Sequence, residues 1–374
     1  MPEHRIYLDY NATTPLAPEV AQAMSQALAG PFGNPSSGHW AGVPARQAVD
    51  KARAQVAALL GCHSDEIVFT SGGSESDNLA LKGVFFAHGS AGAHIVTTQV
   101  EHPAILEPCR FLERLGARVT LLPVDGFGRV DPDDVRRALT PQTILVSVMH
   151  ANNEVGTVQP LAEIARITRE HGVLLHSDAA QSVGKISTRV EELGVDLLTV
   201  AGHKLYGPKG VGALYVRRGV RLEPLIHGAG HESGRRAGTE NILLDVGLGA
   251  ACELASQWIG MAKVCVLRDS LWQQLQARFS NQVALNGHPT ERLPNTLNVN
   301  FVGKVGAEIL ARIPQLAAST GSACHSGSVT LSPVLQAMHT PPEIGMGALR
   351  LSLGRDTTQQ EIDETVELLA AAVG

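Results

Sequence analysis

The chain has 374 residues and a net charge of −6, from 30 Lys and Arg against 36 Asp and Glu, and these charges are interspersed. The length allows a substantial core, while the charge pattern offers no basic patch for nucleic acid or for an anionic membrane surface. No stretch approaches 18 consecutive apolar residues and the charged start lacks the apolar part of a signal peptide, so we expect a cytoplasmic protein that binds a small molecule.

The first predicted elements are helices. The segment RIYLDYNATTP precedes a helix with Pro18 in its first turn and an end at Gly30. In QAVDKARAQVAALLG, apolar residues recur at helical spacing up to a stop at Gly61. Strand-like runs then alternate with helical patterns, and they are EIVFT, HIVTT, RVTLLPV, TILVSVM, VLLHS, DLLTV and GALYV. This alternation predicts an α/β domain with a mostly parallel seven-stranded sheet flanked by helices.

The last third of the chain has a different pattern. From about Asn241 to Ser280 the sequence is helical, and TLNVNF then restores a strand signal. We therefore expect a smaller α+β domain beside the large one. The large domain is predicted over residues 15–258, and the small domain over residues 1–14 and 259–374.

Polar residues directly follow several of the predicted strands. Ligands of open α/β sheets bind at the carboxyl ends of the strands, so these residues are candidates for a site. They are Gly73, Ser74, His102, Asn153, Asp178, Gln181, His203 and Lys204. Taken singly, each has an ordinary explanation, such as a capped glycine-rich turn, a satisfied core histidine, a structural salt bridge at Asp178 or a solvated lysine at Lys204.

The combination favours one cofactor. The SGGS turn before a helix offers N–H groups to a phosphate, Lys204 offers an amine whose pKa falls on burial, and Asp178 offers a buried carboxylate. Pyridoxal phosphate needs this set, because a lysine forms its Schiff base and an aspartate keeps its pyridine nitrogen protonated. His102 is placed to stack on the ring, and Gln181 to reach the phenolic oxygen.

Short motifs in order along the chain resemble one known family. They are YLDYNATTP, GNPSS, FTSGGSESDN, VEHPAIL, ANNEVGT, SDAAQSVGK, GHKLYGPKG, GRRAGTEN, RLPNTLNV, GSAC and ALRLSLGR. The set, from Tyr7 to Arg355, resembles the NifS-type cysteine desulfurases, class V members of the fold-type I pyridoxal phosphate enzymes. The resemblance implies that fold, pyridoxal phosphate as cofactor, and conversion of L-cysteine to L-alanine. It also implies a sulfur-acceptor protein such as an iron–sulfur scaffold.

Matched by position, the resemblance assigns the cofactor contacts. It makes Lys204 the Schiff-base lysine, Asp178 the partner of the pyridine nitrogen and Gln181 the partner of the phenolic oxygen, with His102 stacked on the ring. The implied phosphate contacts are Gly73, Ser74, His203 and, from a second subunit, Thr239. A homodimer is thereby implied.

The resemblance also assigns the substrate contacts and the nucleophile. Asn153 and Arg350 match the positions that hold the substrate carboxylate, although the alternating ALRLSLG pattern alone would make Arg350 a solvent-facing strand residue. Cys324 of GSAC matches the thiolate that attacks the substrate sulfur and becomes a persulfide. In the implied mechanism Lys204 removes the α-proton and His102 carries a proton. The glycines and serines around Cys324 predict a mobile loop.

Departures from the family pattern keep other interpretations open. Ala201 stands where many NifS-type enzymes have a phosphate-binding serine, and SACHSG replaces SACTS. Both features resemble selenocysteine lyases, so L-selenocysteine is the alternative substrate, and a role of His325 in tuning the thiol stays open.

A non-catalytic sulfur-assembly partner is disfavoured by the intact site, and an aminotransferase has no need of Cys324. A metal site at Cys324 and His325, completed by His227 and His231, is disfavoured by the glycines between the two latter histidines and by the lack of any CxxC pair.

Overall fold

The computed structural model describes residues 5–88, 92–320, 322–325 and 328–374, with the backbone alone for 322–325, 328 and 329. Its strands are β1 (Ile6–Tyr7), β2 (Ile67–Thr70), β3 (His94–Thr98), β4 (Arg118–Leu122), β5 (Thr143–Ser147), β6 (Leu174–Asp178), β7 (Leu197–Ala201), β8 (Gly212–Val216), β9 (Val283–Asn286), β10 (Thr296–Phe301), β11 (Leu316–Ala317), β12 (Ser319–Thr320), β13 (Ser322–His325), β14 (Ser328–Leu331) and β15 (Ala348–Ser352). Its helices are α1 (Pro18–Ala29), α2 (Gly42–Leu60), α3 (Gly73–His88), α4 (Pro103–Glu113), α5 (Pro132–Ala138), α6 (Leu161–Glu170), α7 (Val190–Leu193), α8 (Ile242–Ala255), α9 (Ala262–Phe279), α10 (Gly306–Ala311), α11 (Pro333–Ala337), α12 (Pro342–Gly345) and α13 (Gln359–Val373). No helix among these residues combines the length and apolarity needed to cross a membrane.

The largest sheet has seven strands in the order β2-β8-β7-β6-β5-β3-β4. Strand β8 runs antiparallel to β2 and β7, whereas the other neighbouring pairs are parallel. Every residue of β2, β3, β7 and β8 is buried, as expected for apolar strands covered by helices on both faces. The predicted strands and the mostly parallel sheet are confirmed.

The helices begin and end where the sequence favours it. Helix α1 starts at Pro18, and α2 is terminated by Gly61, whose φ of 69° and ψ of 38° are left-handed and whose N–H caps the last turn. Helix α4 follows His102, whose side chain accepts a hydrogen bond from the N–H of Ala104. Because α3 and α4 directly follow β2 and β3, their N-termini meet the carboxyl ends of these strands.

A second, antiparallel sheet has the order β12-β15-β10-β9. Helices α9 and α13 pack on it and share an apolar cluster with it. Strand β1 pairs in parallel with β11, and Asp9 forms a bridge to Ser352 of β15, so the N-terminal segment packs on this layer. On this basis we propose the division into residues 15–258 and residues 1–14 with 259–374.

The backbone around Cys324 differs from the predicted loop. Strands β13 and β14 pair antiparallel, with Cys324 opposite Val329. The SVTL segment of β14 contains two β-branched residues, which favour an extended strand and give the small residues of β13 a partner. The side chains of Cys324 and His325 lie outside the described part of the protein.

Candidate active site

A cavity of about 280 Å³ lies at the carboxyl ends of β2, β3, β6 and β7. It is lined by the predicted residues Gly73, Ser74, His102, Asn153, Asp178, Gln181, His203, Lys204 and Arg350. Asn11 and Asp77, which had no role in the sequence-based prediction, line it as well. Thr239 lies at a separate cavity of about 210 Å³, and the Cys324 side chain is outside the described residues. Apart from these two residues, the structure brings the predicted set together.

Lys204 lies on the short turn that directly follows β7. Its Nζ donates to the carbonyl oxygens of Asn11 at 2.6 Å and Ala12 at 2.8 Å. Burial, reinforced by the Arg350 guanidinium, lowers the pKa of Lys204 to about 8. A substantial fraction of the amine is therefore neutral near physiological pH and able to bond to a carbonyl carbon.

Asp178 ends β6 and is 7% exposed. Its Oδ1 accepts a hydrogen bond from the N–H of Ala180 at 2.8 Å. Burial raises the pKa of Asp178, while the N–H of Ala180 and the neighbouring His102 and Lys204 act to lower it. A carboxylate buried in this way is stabilised by a positive group in the cavity, such as a protonated pyridine nitrogen.

His102 caps α4 through its Nδ1, which accepts a hydrogen bond from the N–H of Ala104 at 3.1 Å. Burial lowers the pKa of His102; Asp178 opposes this effect and Lys204 adds to it. The ring is therefore mainly neutral at pH 7, with its proton on Nε2 because Nδ1 is the acceptor. A neutral ring with one N–H suits both stacking and proton transfer.

The N-terminus of α3 is the candidate phosphate site. Gly73 and Ser74 begin this helix, where N–H groups and the helix dipole favour an anion. A Cβ at Gly73 would lie 3.3 Å from the Cβ of Ala201 in β7, so glycine lets the helix end approach the sheet. His203 Nδ1 lies 3.1 Å from the hydroxyl of Thr13. Burial lowers the pKa of His203 to about 4, which leaves a neutral ring beside the cavity.

Arg350 is 8% exposed and is not the solvent-facing residue that its alternating sequence pattern alone would indicate. Its Nη1 donates to the carbonyl oxygen of Asn153 at 3.0 Å. Its Nη2 donates to Asp9 Oδ1 and to Ser319 Oγ, both at 2.8 Å. Its Nε is buried without an acceptor among the described residues. Because Arg350 lines the cavity, this N–H is a donor for a substrate carboxylate.

Gln181 is held from two sides. Its Nε2 donates to the carbonyl oxygen of Asn11 at 2.9 Å, and its Oε1 accepts from Nζ of Lys185, also at 2.9 Å. Asn11 and Lys185 lie within the motifs YLDYNATTP and SDAAQSVGK, but the sequence alone assigned neither a role. Their burial identifies Asn11 and Lys185 as parts of the site, and the burial of a polar residue cannot be predicted from a short motif.

Asp77 is a second buried carboxyl group at the cavity. It is 2% exposed, and its Oδ1 has no hydrogen-bond partner among the described residues. Burial, together with the nearby Asp178, raises the pKa of Asp77 well above its ordinary value. Two adjacent buried carboxyl groups do not both ionise readily, and the charged form of Asp178 is favoured by the neighbouring His102 and Lys204.

This donor set fits pyridoxal phosphate. Lys204 supplies the amine, Asp178 the carboxylate for the pyridine nitrogen, Gln181 an amide donor and α3 an anion site. Among the described residues, no group of three or more His, Cys, Asp and Glu is arranged to hold a metal. His227 Nε2 lies 3.1 Å from Glu223, and His231 Nδ1 accepts from the N–H of Gly238 at 3.2 Å.

The family model named aminotransferase class-V matches residues 6–365. The chain belongs to this family. Cysteine desulfurase IscS of Dictyoglomus turgidum is 48% identical over 371 residues, which cover 98% of this chain and 94% of that protein. Cysteine desulfurase IscS of Methanosarcina thermophila is 46% identical over 372 residues, covering 98% and 92%. The solved structure of a NifS-like protein superposes with a TM-score of 0.90 at 36% identity, covering 98% of both chains.

Within the class-V family, this chain is one of the IscS/NifS cysteine desulfurases, which depend on pyridoxal phosphate. The family, the fold class, the cofactor and the type of activity predicted from the sequence are thereby confirmed. These relatives give no support to the alternative of a selenocysteine lyase.

Proposed function

We propose that this cysteine desulfurase transfers the sulfur of L-cysteine to Cys324, releases L-alanine, and passes the persulfide sulfur to an acceptor such as an iron–sulfur scaffold protein. The supporting observation is that one cavity joins an amine of lowered pKa at Lys204, a buried carboxylate at Asp178 and an unpaired guanidinium N–H at Arg350. These groups match the needs of a cofactor-dependent reaction on an amino acid.

The substrate carboxylate is held at Arg350. Its Nη1 and Nη2 are already bonded to Asn153 and to Asp9 with Ser319, so the guanidinium is fixed in the cavity wall. The Nε–H then points to a defined position, and the Asn153 side chain is available beside it. This arrangement orients the α-carbon of the substrate toward the Lys204 amine.

The bound pyridoxal phosphate supplies an electron sink for the electrons released at the substrate α-carbon. With the cofactor bound, Lys204 would take the α-proton, because part of its amine population is neutral near pH 7. Asp178 would keep the pyridine nitrogen protonated, and Gln181 would donate to the phenolic oxygen. His102 would stack on the ring and carry a proton through its Nε2–H.

The sulfur transfer step is carried by Cys324. Its thiolate attacks the sulfur of the substrate, so an S–S bond forms as the Cβ–S bond breaks, and the bonding electron pair remains with the substrate carbon. Protonation at that carbon and return of a proton to the α-carbon yield L-alanine, while the transferred sulfur stays on the enzyme as a persulfide. No external oxidant or reductant is consumed in this step.

The chain from Ser319 to Cys324 is short enough for this role. Ser319 bonds directly to Arg350 at the cavity wall. Cys324 is five positions after Ser319, so it lies within about 17 Å of Ser319 even if the segment is fully extended.

A cytoplasmic homodimer is proposed as the working form. Thr239 lies at a cavity that is separate from the one holding Lys204, which supports its use by the site of a second subunit. The resemblance to dimeric relatives assigns it to the phosphate of that site.

Product analysis tests the proposed function. The purified protein, supplied with pyridoxal phosphate, is incubated with L-cysteine and, separately, with L-selenocysteine. We expect equal amounts of alanine and released sulfide from L-cysteine in the presence of a thiol, loss of both in Cys324→Ala, and retention in Cys265→Ala, the control at a different cysteine. Activity confined to L-selenocysteine would overturn the proposal.

A further inference from the structure

Lys185 is a buried lysine that does not line the active-site cavity. It lies on the turn after β6, four residues beyond Gln181, and is 5% exposed. Its Nζ lies 2.9 Å from Oε1 of Gln181 and 3.4 Å from Oδ1 of Asn11. Both acceptors are amide oxygens, and burying an amine against neutral acceptors is costly. Such a residue calls for a functional explanation.

The contact between Lys185 and Gln181 determines which end of the Gln181 amide is the donor. Lysine Nζ has only donor hydrogens when charged, so it requires the oxygen of the amide, and the carbonyl oxygen of Asn11 requires the nitrogen. A flipped amide would place N–H against the amine and oxygen against the carbonyl, and both contacts would become repulsive. One hydrogen of Nε2 is used by Asn11, which leaves the second for a ligand.

We propose that Lys185 is a positioning residue, which acts through Gln181 by holding its amide with the N–H group toward the phenolic oxygen of the cofactor. The proposal rests on the proposed function, in which Gln181 makes that contact. Without Lys185, the Asn11 carbonyl alone orients the amide, so a larger fraction of Gln181 presents its oxygen to the phenolic oxygen and the hydrogen bond is weakened.

The orienting effect of the contact depends on the charge of Lys185. Burial, together with the nearby Lys204 and Arg350, lowers the pKa of Lys185 to about 7. The neutral amine still donates to Oε1 of Gln181, but its lone pair also accepts from a flipped amide, so Lys185 fixes the amide most firmly while it is charged. A role in proton transfer is not needed, since Gln181 lines the cavity and Lys185 does not.

The test is a double-mutant cycle read from the visible absorption band of the loaded enzyme as a function of pH. Removing a donor from the phenolic oxygen makes that oxygen more basic, so the midpoint of the band titration moves upward. We expect a shift of about one pH unit in Lys185→Met, the size expected for one hydrogen bond to a charged oxygen. Gln181→Ala should shift the midpoint to a similar extent, and the double variant no further than Gln181→Ala alone.

Matched variants separate a positioning role from a structural one. Lys185→Arg keeps donor hydrogens and should restore the midpoint, whereas Lys51→Met, at an exposed position of α2, should leave it unchanged. The proposal is overturned if Gln181→Ala shifts the midpoint and Lys185→Met does not, or if the two shifts add in the double variant. It is also overturned if neither Lys185→Met nor Lys185→Leu folds, because Lys185 is then structural. Failure of the proposed function looks different: the wild-type protein lacks the band, or Gln181→Ala leaves it unmoved.

Discussion

Arg350 and Asp9 form an ion pair at the cavity wall, with Nη2 and Oδ1 2.8 Å apart. The hydroxyl of Ser319 joins the pair, since it donates to Asp9 at 2.8 Å and accepts from Arg350 at 2.8 Å. The pair links the N-terminal segment to β15 and to Ser319, which lies three positions before the first residue of β13. It therefore fixes the guanidinium before any substrate binds.

The first prediction concerns this pair. Asp9→Ala removes the anchor of Nη2 and frees the guanidinium to rotate, so the substrate carboxylate is bound less well. We expect KM for L-cysteine to rise about ten-fold, equivalent to about 1.4 kcal/mol, with a smaller change in kcat. Steady-state kinetics measure both constants. Asp356→Ala, which removes an exposed partner of Arg355, is the control, and an unchanged KM in Asp9→Ala would argue that Asp9 does not position Arg350.

The second prediction is a pH dependence of cofactor loading. Only the neutral amine of Lys204 bonds to the aldehyde carbon of pyridoxal phosphate, and burial lowers the pKa of this amine to about 8. The loading rate of cofactor-free protein should therefore rise with pH and level off above about pH 8. Growth of the visible band after mixing measures this rate. A rise that continues to the ordinary pKa of a lysine would show that Lys204 is not perturbed in this way.

The third prediction concerns stability. Glu101 is buried and accepts hydrogen bonds from the N–H of Met149 at 3.0 Å and from the hydroxyl of Thr98 at 2.8 Å. Burial raises its pKa to about 8, from an ordinary value near 4.5. Between pH 4.5 and 8, Glu101 therefore binds more protons in the folded protein than in the unfolded chain. The contribution of Glu101 to the free energy of unfolding falls as the pH rises through this range.

Glu101→Gln isolates this contribution, because the amide stays neutral at every pH. Denaturant unfolding at about pH 5 and about pH 9 gives the difference in unfolding free energy between the variant and the wild type. We expect this difference to move in favour of the variant as the pH rises. A difference that is the same at both pH values would mean that Glu101 titrates alike in the folded and unfolded states.

The fourth prediction concerns the second subunit. Thr239→Ala should weaken retention of the cofactor, and Lys204→Ala should abolish its covalent attachment. If Thr239 serves the site of the partner, a mixed dimer of the two variants contains one site with both residues intact. Refolding the variants together should then recover tight cofactor binding that neither shows alone. No recovery, with mixed dimers demonstrated by mass, would place Thr239 outside the partner site.

Much of the site was predictable because its residues follow strands of one sheet. The alternation of strand and helix patterns places Asp178, Gln181 and Lys204 at the same sheet edge, and the structure brings them to one cavity. The family resemblance was needed for Arg350, whose strand pattern alone indicates exposure. It is buried because Asp9 and Asn153, from distant parts of the chain, bond to its guanidinium.

The rest depends on tertiary contacts that carry no local pattern. Asn11 contacts Gln181, Lys204 and Lys185 although it lies far from them along the chain. Its segment shows no helical or strand period that would predict this position. Around Cys324, the small residues predicted a loop, but pairing between β13 and β14 overrides that local preference in the backbone.

The location of the sulfur after one turnover is the most direct test of sulfur transfer from L-cysteine to Cys324. The loaded enzyme is mixed with an equal amount of L-cysteine without added thiol, the persulfide is trapped by alkylation, and the peptides are analysed by mass spectrometry. We expect one additional sulfur atom on the peptide that contains Cys324, one alanine for each persulfide, and neither product in Cys324→Ala with its visible band retained. An additional sulfur on Cys62 or Cys265, or undiminished alanine formation in Cys324→Ala, would contradict transfer to Cys324.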